Sequence, residues 1–422
     1  MKKFVLSMMT LLLIGGSFNT QAQEVEKQIV IKDRKNSLEQ QKKPYVILVS
    51  LDGFRHDYID KYQAETLGKI GFKGTRAKSL VPSYPSVTFP NHYSIVTGLY
   101  PGHHGLVGNN MYDRSTGDRY SLGNEKAVTN AKWYGGTPLW VLAEQQGMLS
   151  ACYYWPGSEA AIQETLPTYY YKYSEKSSID SRLNQVEKWL NLPEEERPHF
   201  ITFYMPDVDH AGHQYGPDAP ETEKAVFEVD QAMKKLLMIV ENTPLPINLI
   251  VVSDHGMLEL DQETLLQLPI KIEEKEVSVA SNGTYVSLFV HQQKDIKKYY
   301  DEIKKTMDPK LMQVYLKGEL PKEFHFSGKD DRFDRVGDIV LTANPPYYFT
   351  NKPLAGSHGF DPNVVNEMHA IFVAAGPNIR ENNKVDSFEN VLVYPIIAKI
   401  LDLKVDYEKI DGDKRVIKEV VK

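Results

Sequence analysis

Chemistry concentrates in one seven-residue stretch, Asp207-Val208-Asp209-His210-Ala211-Gly212-His213, which places two of the chain's 12 histidines beside two aspartates. Zinc favours imidazole and carboxylate donors. Cys152 is the single cysteine, so a metal site here would have to be built from those two groups. Gly212 and the following Gly216-Pro217 predict a loop or short turn rather than a long helix. A solvated acidic loop would carry similar charge but would not call for the histidines.

Two apolar runs end in carboxylates. Val46-Ile47-Leu48-Val49-Ser50-Leu51 leads into Asp52-Gly53, and Leu249-Ile250-Val251-Val252-Ser253 leads into Asp254-His255-Gly256. Ligands of open α/β sheets bind beyond the carboxyl ends of the strands. Either aspartate alone could equally cap the next helix or turn; the pair with His255 points to metal ligands. Ala355-Gly356-Ser357-His358-Gly359 adds a histidine between glycines, where the backbone can approach closely. In Pro85-Ser86-Val87-Thr88-Phe89-Pro90-Asn91-His92, Pro90 and the apolar spacing after it predict a helix starting near Thr88. A hydroxyl at the positive end of a helix suits an anion, and a metal beside it would convert it into a nucleophile. An N-cap threonine is the alternative for the same position.

These residues need a scaffold, and the apolar pattern supplies one. Tyr45–Leu51, Leu149–Tyr154, Phe200–Met205, Ile247–Ser253 and His369–Ala374 are near-continuous apolar runs, the pattern of strands covered on both faces. Helical spacing appears at Thr137–Gln146, Ser181–Leu190, Glu221–Glu241 and Ile296–Met307. The first of these has Thr137 as N-cap and Pro138 at the first helical position. The fold class is therefore α/β, with a mostly parallel central sheet and helices on both faces. The rhythm breaks from about residue 260 to 350, which reads as an inserted smaller subdomain. Residues 23–43 are polar and read as a flexible lead-in to a catalytic domain at 44–422.

Lys2 and Lys3, the apolar Phe4–Ile14 and the small-x-small site Thr20-Gln21-Ala22 predict a signal peptide over residues 1–22. Export to the periplasm or outside the cell follows. No later apolar run is long enough to span a membrane. Cys152 lies in an apolar run and reads as a core thiol. The net charge of -7 gives no basic face for a stable nucleic-acid complex. An acidic protein that binds phosphate must supply local positive charge, for which metal cations are the obvious source.

The ordered segments Thr88-Phe89-Pro90-Asn91-His92, Tyr100-Pro101-Gly102-His103-His104-Gly105 with Asn109, Trp155-Pro156-Gly157-Ser158, Asp209 with His213, Asp254-His255-Gly256 and Gly356-Ser357-His358-Gly359 resemble the nucleotide pyrophosphatase/phosphodiesterase family of the alkaline phosphatase superfamily. That resemblance implies an alkaline-phosphatase-like fold and two Zn2+ per chain. One ion would be held by Asp209, His213 and His358, the other by Asp52, Asp254, His255 and the oxygen of Thr88. Thr88 would be the nucleophile and Asn109 a donor to a phosphate oxygen. Phe89 and Tyr173 match the positions that sandwich a nucleobase, and Tyr154 and Trp155 would line the same pocket. The expected substrate is a small nucleotide diester or pyrophosphate, cleaved to a nucleoside 5′-monophosphate. Asp207 and His210 would lie beside the site or at the surface, and His369 would be structural. The chain departs from the family at Val87, where many members carry lysine, and at Glu159, where aspartate is usual. A same-fold phosphodiesterase for phosphocholine or lipid head groups is the alternative. A non-catalytic phosphate-ester binder is a further one, although it would have no need of Thr88.

Overall fold

The computed structural model describes residues 26–422. The expected signal peptide lies outside the described residues. A nine-stranded sheet forms the centre, in the order Ile29–Val30, Tyr169–Tyr171, Ser150–Tyr153, Phe200–Met205, Tyr45–Leu51, Ile247–Val252, Phe372–Ala375, Thr75–Ala77 and Asn383–Val385. The strands from Tyr169–Tyr171 through Ile247–Val252 are mutually parallel. Their side chains alternate between two cores, as the pleat requires. Val46 and Leu48 face a core with Tyr93, Val96, Trp140 and Ile396. Ile47, Val49 and Leu51 face the opposite core, with Leu67, Val186, Trp189 and Met233. Helices therefore cover both faces of an α/β sheet.

The last long strand departs from the parallel expectation. Phe372–Ala375 pairs antiparallel with Ile247–Val252. The chain leaves Val252 at the carboxyl edge, returns past His358 on that same edge, and so must enter the sheet in the reverse direction. Between them, Val277–Ser281, Tyr285–Val290, Ile339–Ala343 and Met312–Leu316 form a separate four-stranded antiparallel sheet. Helix Ile296–Thr306 packs on it through Tyr299 and Ile303.

Three local expectations are corrected. Residues 26–43 are not a flexible lead-in: Ile29–Val30 pairs antiparallel with Tyr169 and Tyr170, and Asn36 donates to the carbonyls of Glu194 and Arg197 at 3.0 and 2.7 Å. The stretch expected to be a loop or turn is a nine-residue helix, Asp207–Tyr215. Gly212 sits inside it because a Cβ there would lie 2.9 Å from the Met257 side chain; the helix ends at Gly216, at φ +100°. The helix expected from Thr137 runs from Leu139 to Gln145, because Pro138 keeps an extended backbone and serves as its N-cap.

Candidate active site

The parallel strands converge on one edge. Asp52 follows Tyr45–Leu51, Asp254 and His255 follow Ile247–Val252, and helix Asp207–Tyr215 follows Phe200–Met205 with Asp209 and His213 one turn apart. The loop that carries His358 closes over them. Ligand atoms of Asp52, Asp254 and His255 lie within 4.8 Å of one another, as do those of Asp209, His255 and His358. His213 joins the second group, its Nε2 lying 3.2 Å from His358 Nε2 and 3.4 Å from Asp209 Oδ1. His255 is shared, with its ring stacked on His358 at 3.4 Å.

The local hydrogen bonds orient all three imidazoles alike. Nδ1 of His213, His255 and His358 lies 2.9 Å from the carbonyls of Gly356, Gly256 and Ser86 respectively. A carbonyl only accepts, so each Nδ1 carries the proton and each Nε2 faces the cluster. Asp52 Oδ1, Asp209 Oδ1 and Asp254 Oδ2 are buried without a hydrogen-bond donor among the described residues, and the His255 Nε2 lies 2.9 Å from Asp254 Oδ2. Burial, with the Asp254 and Asp209 carboxylates beside it, pushes the Asp52 carboxyl well above its ordinary range. Burial would also raise Asp254, but His255 and His92 outweigh it and hold that carboxylate well below. Orphaned carboxylate oxygens and inward Nε2 atoms are a donor set that fits divalent cations, zinc above all.

Thr88 opens helix Thr88–Thr97, and its Oγ1 lies 3.3 Å from His255 Nε2. It is not the N-cap; Val87 holds that position, without a side-chain capping bond. Asn109 Oδ1 accepts from the Phe89 backbone N–H at 3.0 Å, which leaves the amide's donors as what it can offer. Two residues escaped the sequence reading. His92 is fully buried, its Nδ1 2.9 Å from the Thr88 carbonyl and its Nε2 2.8 Å from Ser50 Oγ. Its place four residues after Thr88, one helical turn, was the available signal. The Tyr204 hydroxyl donates to Asp52 Oδ2 at 2.5 Å; inside an apolar strand it had no signal beyond that of a core aromatic.

A cavity of about 280 Å³ opens beside Thr88, with Phe89, Trp155 and Tyr173 among its walls. Trp155 donates its indole N–H to the His92 carbonyl at 3.0 Å. Tyr154, also on the wall, is held at φ +62° with its hydroxyl bonded to Glu26 and the Ser174 carbonyl. Among the described residues no lysine or arginine lines this cavity, whereas Asp52, Glu159, Glu175 and Asp209 do. A phosphate could enter such a pocket only with cations at its acidic end.

A family model for type I phosphodiesterase/nucleotide pyrophosphatase matches residues 46–361. The chain belongs to that family. Ectonucleotide pyrophosphatase/phosphodiesterase family member 1 of Homo sapiens is 35% identical over 378 residues, covering 85% of this chain and 40% of the human protein. Venom phosphodiesterase 2 of Crotalus adamanteus is 35% identical over 370 residues, covering 85% of this chain and 45% of its own. The chain thus spans less than half the length of these curated relatives. Among solved structures, murine ectonucleotide pyrophosphatase/phosphodiesterase 5, in an inactive threonine-to-alanine form in complex with AMP, matches with a TM-score of 0.82 at 27% identity. That match covers 90% of this chain and all of the murine one.

The remaining candidate residues of this family member differ in where they lie. Asp207 is exposed outside the cluster, while His210 sits on the cavity rim, 4.0 Å from Glu175. His369 lies outside both donor groups, its Nδ1 2.8 Å from Ser79 Oγ and its Nε2 2.9 Å from the Pro362 carbonyl. Glu159 reaches the cavity and accepts from the Tyr173 backbone N–H at 2.9 Å, so it also fixes that ring's stem. Val87 is buried at the helix start and brings no positive charge there.

Proposed function

We propose that this chain is an exported, two-zinc phosphodiesterase that hydrolyses nucleotide phosphodiester or pyrophosphate bonds, releasing nucleoside 5′-monophosphates. The observation that carries the reading is the position of Thr88. Its hydroxyl lies at the start of a helix, against the imidazole shared by both donor groups, at the mouth of an aromatic cavity. Asp209, His213 and His358 would hold one zinc, and Asp52, Asp254, His255 and Thr88 Oγ1 the other. Bound zinc would supply the positive charge that the acidic cavity lacks and would acidify the Thr88 hydroxyl.

Thr88 Oγ1 attacks phosphorus as the bond to the leaving oxygen breaks, leaving the nucleoside phosphoryl group on the threonine. Water then cleaves that ester. Asn109 aims its amide donors at a phosphate oxygen, where developing charge is greatest. Phe89 and Tyr173 flank the base, and stacking on aromatic rings accepts any base. The name of the human relative and the AMP bound to the murine one support a nucleotide substrate.

One observation favours a second substrate class. Glu159 and Glu175 beside Tyr154 and Tyr173 combine carboxylates with rings, a combination that also attracts quaternary ammonium. The deciding experiment compares nitrophenyl esters of thymidine 5′-phosphate and phosphocholine with a simple monoester, using Thr88→Ala and chelated enzyme as controls. Preference for the nucleotide diester, lost in both controls, is the expected result. Preference for phosphocholine would move the function to head groups, and no turnover with zinc bound would overturn the catalytic reading.

A further inference from the structure

A hairpin turn of the inserted sheet, residues 281–284, contacts the backbone that carries Asn109. Asn282 Oδ1 accepts from the Asn110 N–H at 2.8 Å, and its Nδ2 donates to the Asn110 carbonyl at 3.0 Å. One side-chain amide thus holds both polar groups of a single residue, as a neighbouring strand would. Tyr285 adds a hydroxyl bond to the Val107 carbonyl at 2.5 Å, and Asn110 Nδ2 donates to the Ser281 carbonyl at 3.2 Å. Gly108 completes the grip. A Cβ there would collide with the Tyr285 hydroxyl and lie 2.6 Å from Asn282 Nδ2. The backbone on either side of Asn109 is therefore held from the insertion side, at the Val107 carbonyl and at both polar groups of Asn110. From the other side, the Phe89 N–H holds Asn109 Oδ1 at 3.0 Å.

We infer that Asn282 is a positioning residue for the reaction, setting the amide of Asn109 against the substrate phosphate and making the inserted sheet part of the catalytic apparatus. The inference rests on the donor role proposed above for Asn109. Asn282 is 8% exposed and lines no part of the cavity beside Thr88, so it acts through the backbone it grips. Donors aimed at developing charge lose most of their effect when displaced by about 1 Å, a change that can cost on the order of a hundredfold in rate. A clamp of this kind therefore affects kcat more than KM.

The test is a double-mutant cycle on the zinc-loaded enzyme, with a thymidine 5′-phosphate nitrophenyl ester as substrate. Asn109→Ala should lower kcat on the order of a hundredfold. Asn282→Ala should lower it roughly tenfold to a hundredfold, with KM changed by no more than about threefold. Placed in the Asn109→Ala background, Asn282→Ala should add less than about twofold, because the group it positions is already gone. Asn282→Asp keeps an acceptor for the Asn110 N–H and loses the donor to its carbonyl, so its loss should be intermediate; it also serves if the alanine variant does not fold. Zinc content should match the parent in each variant, and kinetics should be compared well below each melting temperature, which the loss of buried hydrogen bonds lowers. Full kcat in Asn282→Ala, or single losses that multiply in the double variant, would overturn the inference. An unimpaired Asn109→Ala enzyme would instead overturn the role given to Asn109, and the inference with it.

Discussion

His103 and His104 are neighbours in the chain, yet their surroundings shift them in opposite directions. His103 bridges two carboxylates, with Nδ1 2.7 Å from Asp411 Oδ2 and Nε2 3.1 Å from Asp330 Oδ1. Burial would lower its pKa, but Asp411 and Asp330 outweigh it and raise it above the usual value. Its charge therefore contributes stability that is complete below about pH 6.5 and is lost as pH rises through the folded value. His104 is fully buried, accepts from the Leu106 N–H at 3.1 Å and lies 3.0 Å from Ser94 Oγ. Burial pushes it down to about 3, so its contribution is complete above about pH 6.5 and fades as pH falls toward that value. Melting curves across pH should show this split. His103→Gln should lower the melting temperature most near pH 6 and least near pH 9. His104→Asn, which keeps an acceptor for Leu106, should lose stability less steeply than the parent below about pH 6. Zinc belongs to the same scale. Chelation should abolish turnover and lower the melting temperature, since zinc at about a thousandfold over its Kd would contribute about 4 kcal/mol. An unchanged melting curve after chelation would argue against zinc in the buried donor groups.

Elements meet at glycines where the site has no room for a side chain. Gly53, at φ +67°, follows Asp52, and a Cβ there would lie 2.8 Å from the Asp209 Cα. It lets the end of the Tyr45–Leu51 strand touch helix Asp207–Tyr215, which brings the two donor groups together. Gly53→Ala should cost about 1–3 kcal/mol through backbone strain and displacement of the helix. It should also release zinc from the Asp209 group first, as metal analysis after dialysis would show. Asp230, on helix Pro220–Glu241, has an element-scale role remote from the chemistry. Its carboxylate accepts from the N–H groups of Thr66 and Leu67 at 3.0 and 2.9 Å, at the start of helix Glu65–Lys73. Asp230→Ala should destabilise the fold by about 1–2 kcal/mol and leave kcat/KM unchanged.

Across the whole molecule, residues 26–30 reach the wall of the cavity beside Thr88. Glu26 accepts from the Tyr154 hydroxyl at 2.5 Å, Ser177 Oγ at 2.7 Å and the Tyr153 hydroxyl at 3.3 Å. Ile29–Val30 then adds an edge strand beside Tyr169–Tyr171. The segment braces Tyr154, whose left-handed backbone conformation is costly and persists only where its surroundings hold it. Glu26→Ala should raise KM about threefold or more while kcat stays within about twofold. Steady-state kinetics on the nucleotide ester separate the two. A fall in kcat with KM unchanged would mean that Glu26 does not act through the pocket wall.

Much of this architecture was legible in the chain. Apolar runs that end in Asp52 and in Asp254-His255 require strands covered on both faces, and parallel strands deliver their ends to one edge. The order of short motifs was enough to name the residues that gather there. Local pattern determines which residues are strand and which face is apolar, because those follow from side-chain period alone. It could not reveal that Phe372–Ala375 runs antiparallel, since direction depends on which edge the preceding loop has reached. It misread Gly212, because a glycine needed for close approach to Met257 looks like one that breaks a helix. It passed over His92, Tyr204 and Asn282, whose partners at the site include groups far away in sequence. Residue type and order thus determined the candidate chemistry; only the folded chain decided which distant groups hold its residues in place, because those contacts exist only after the sheet has formed.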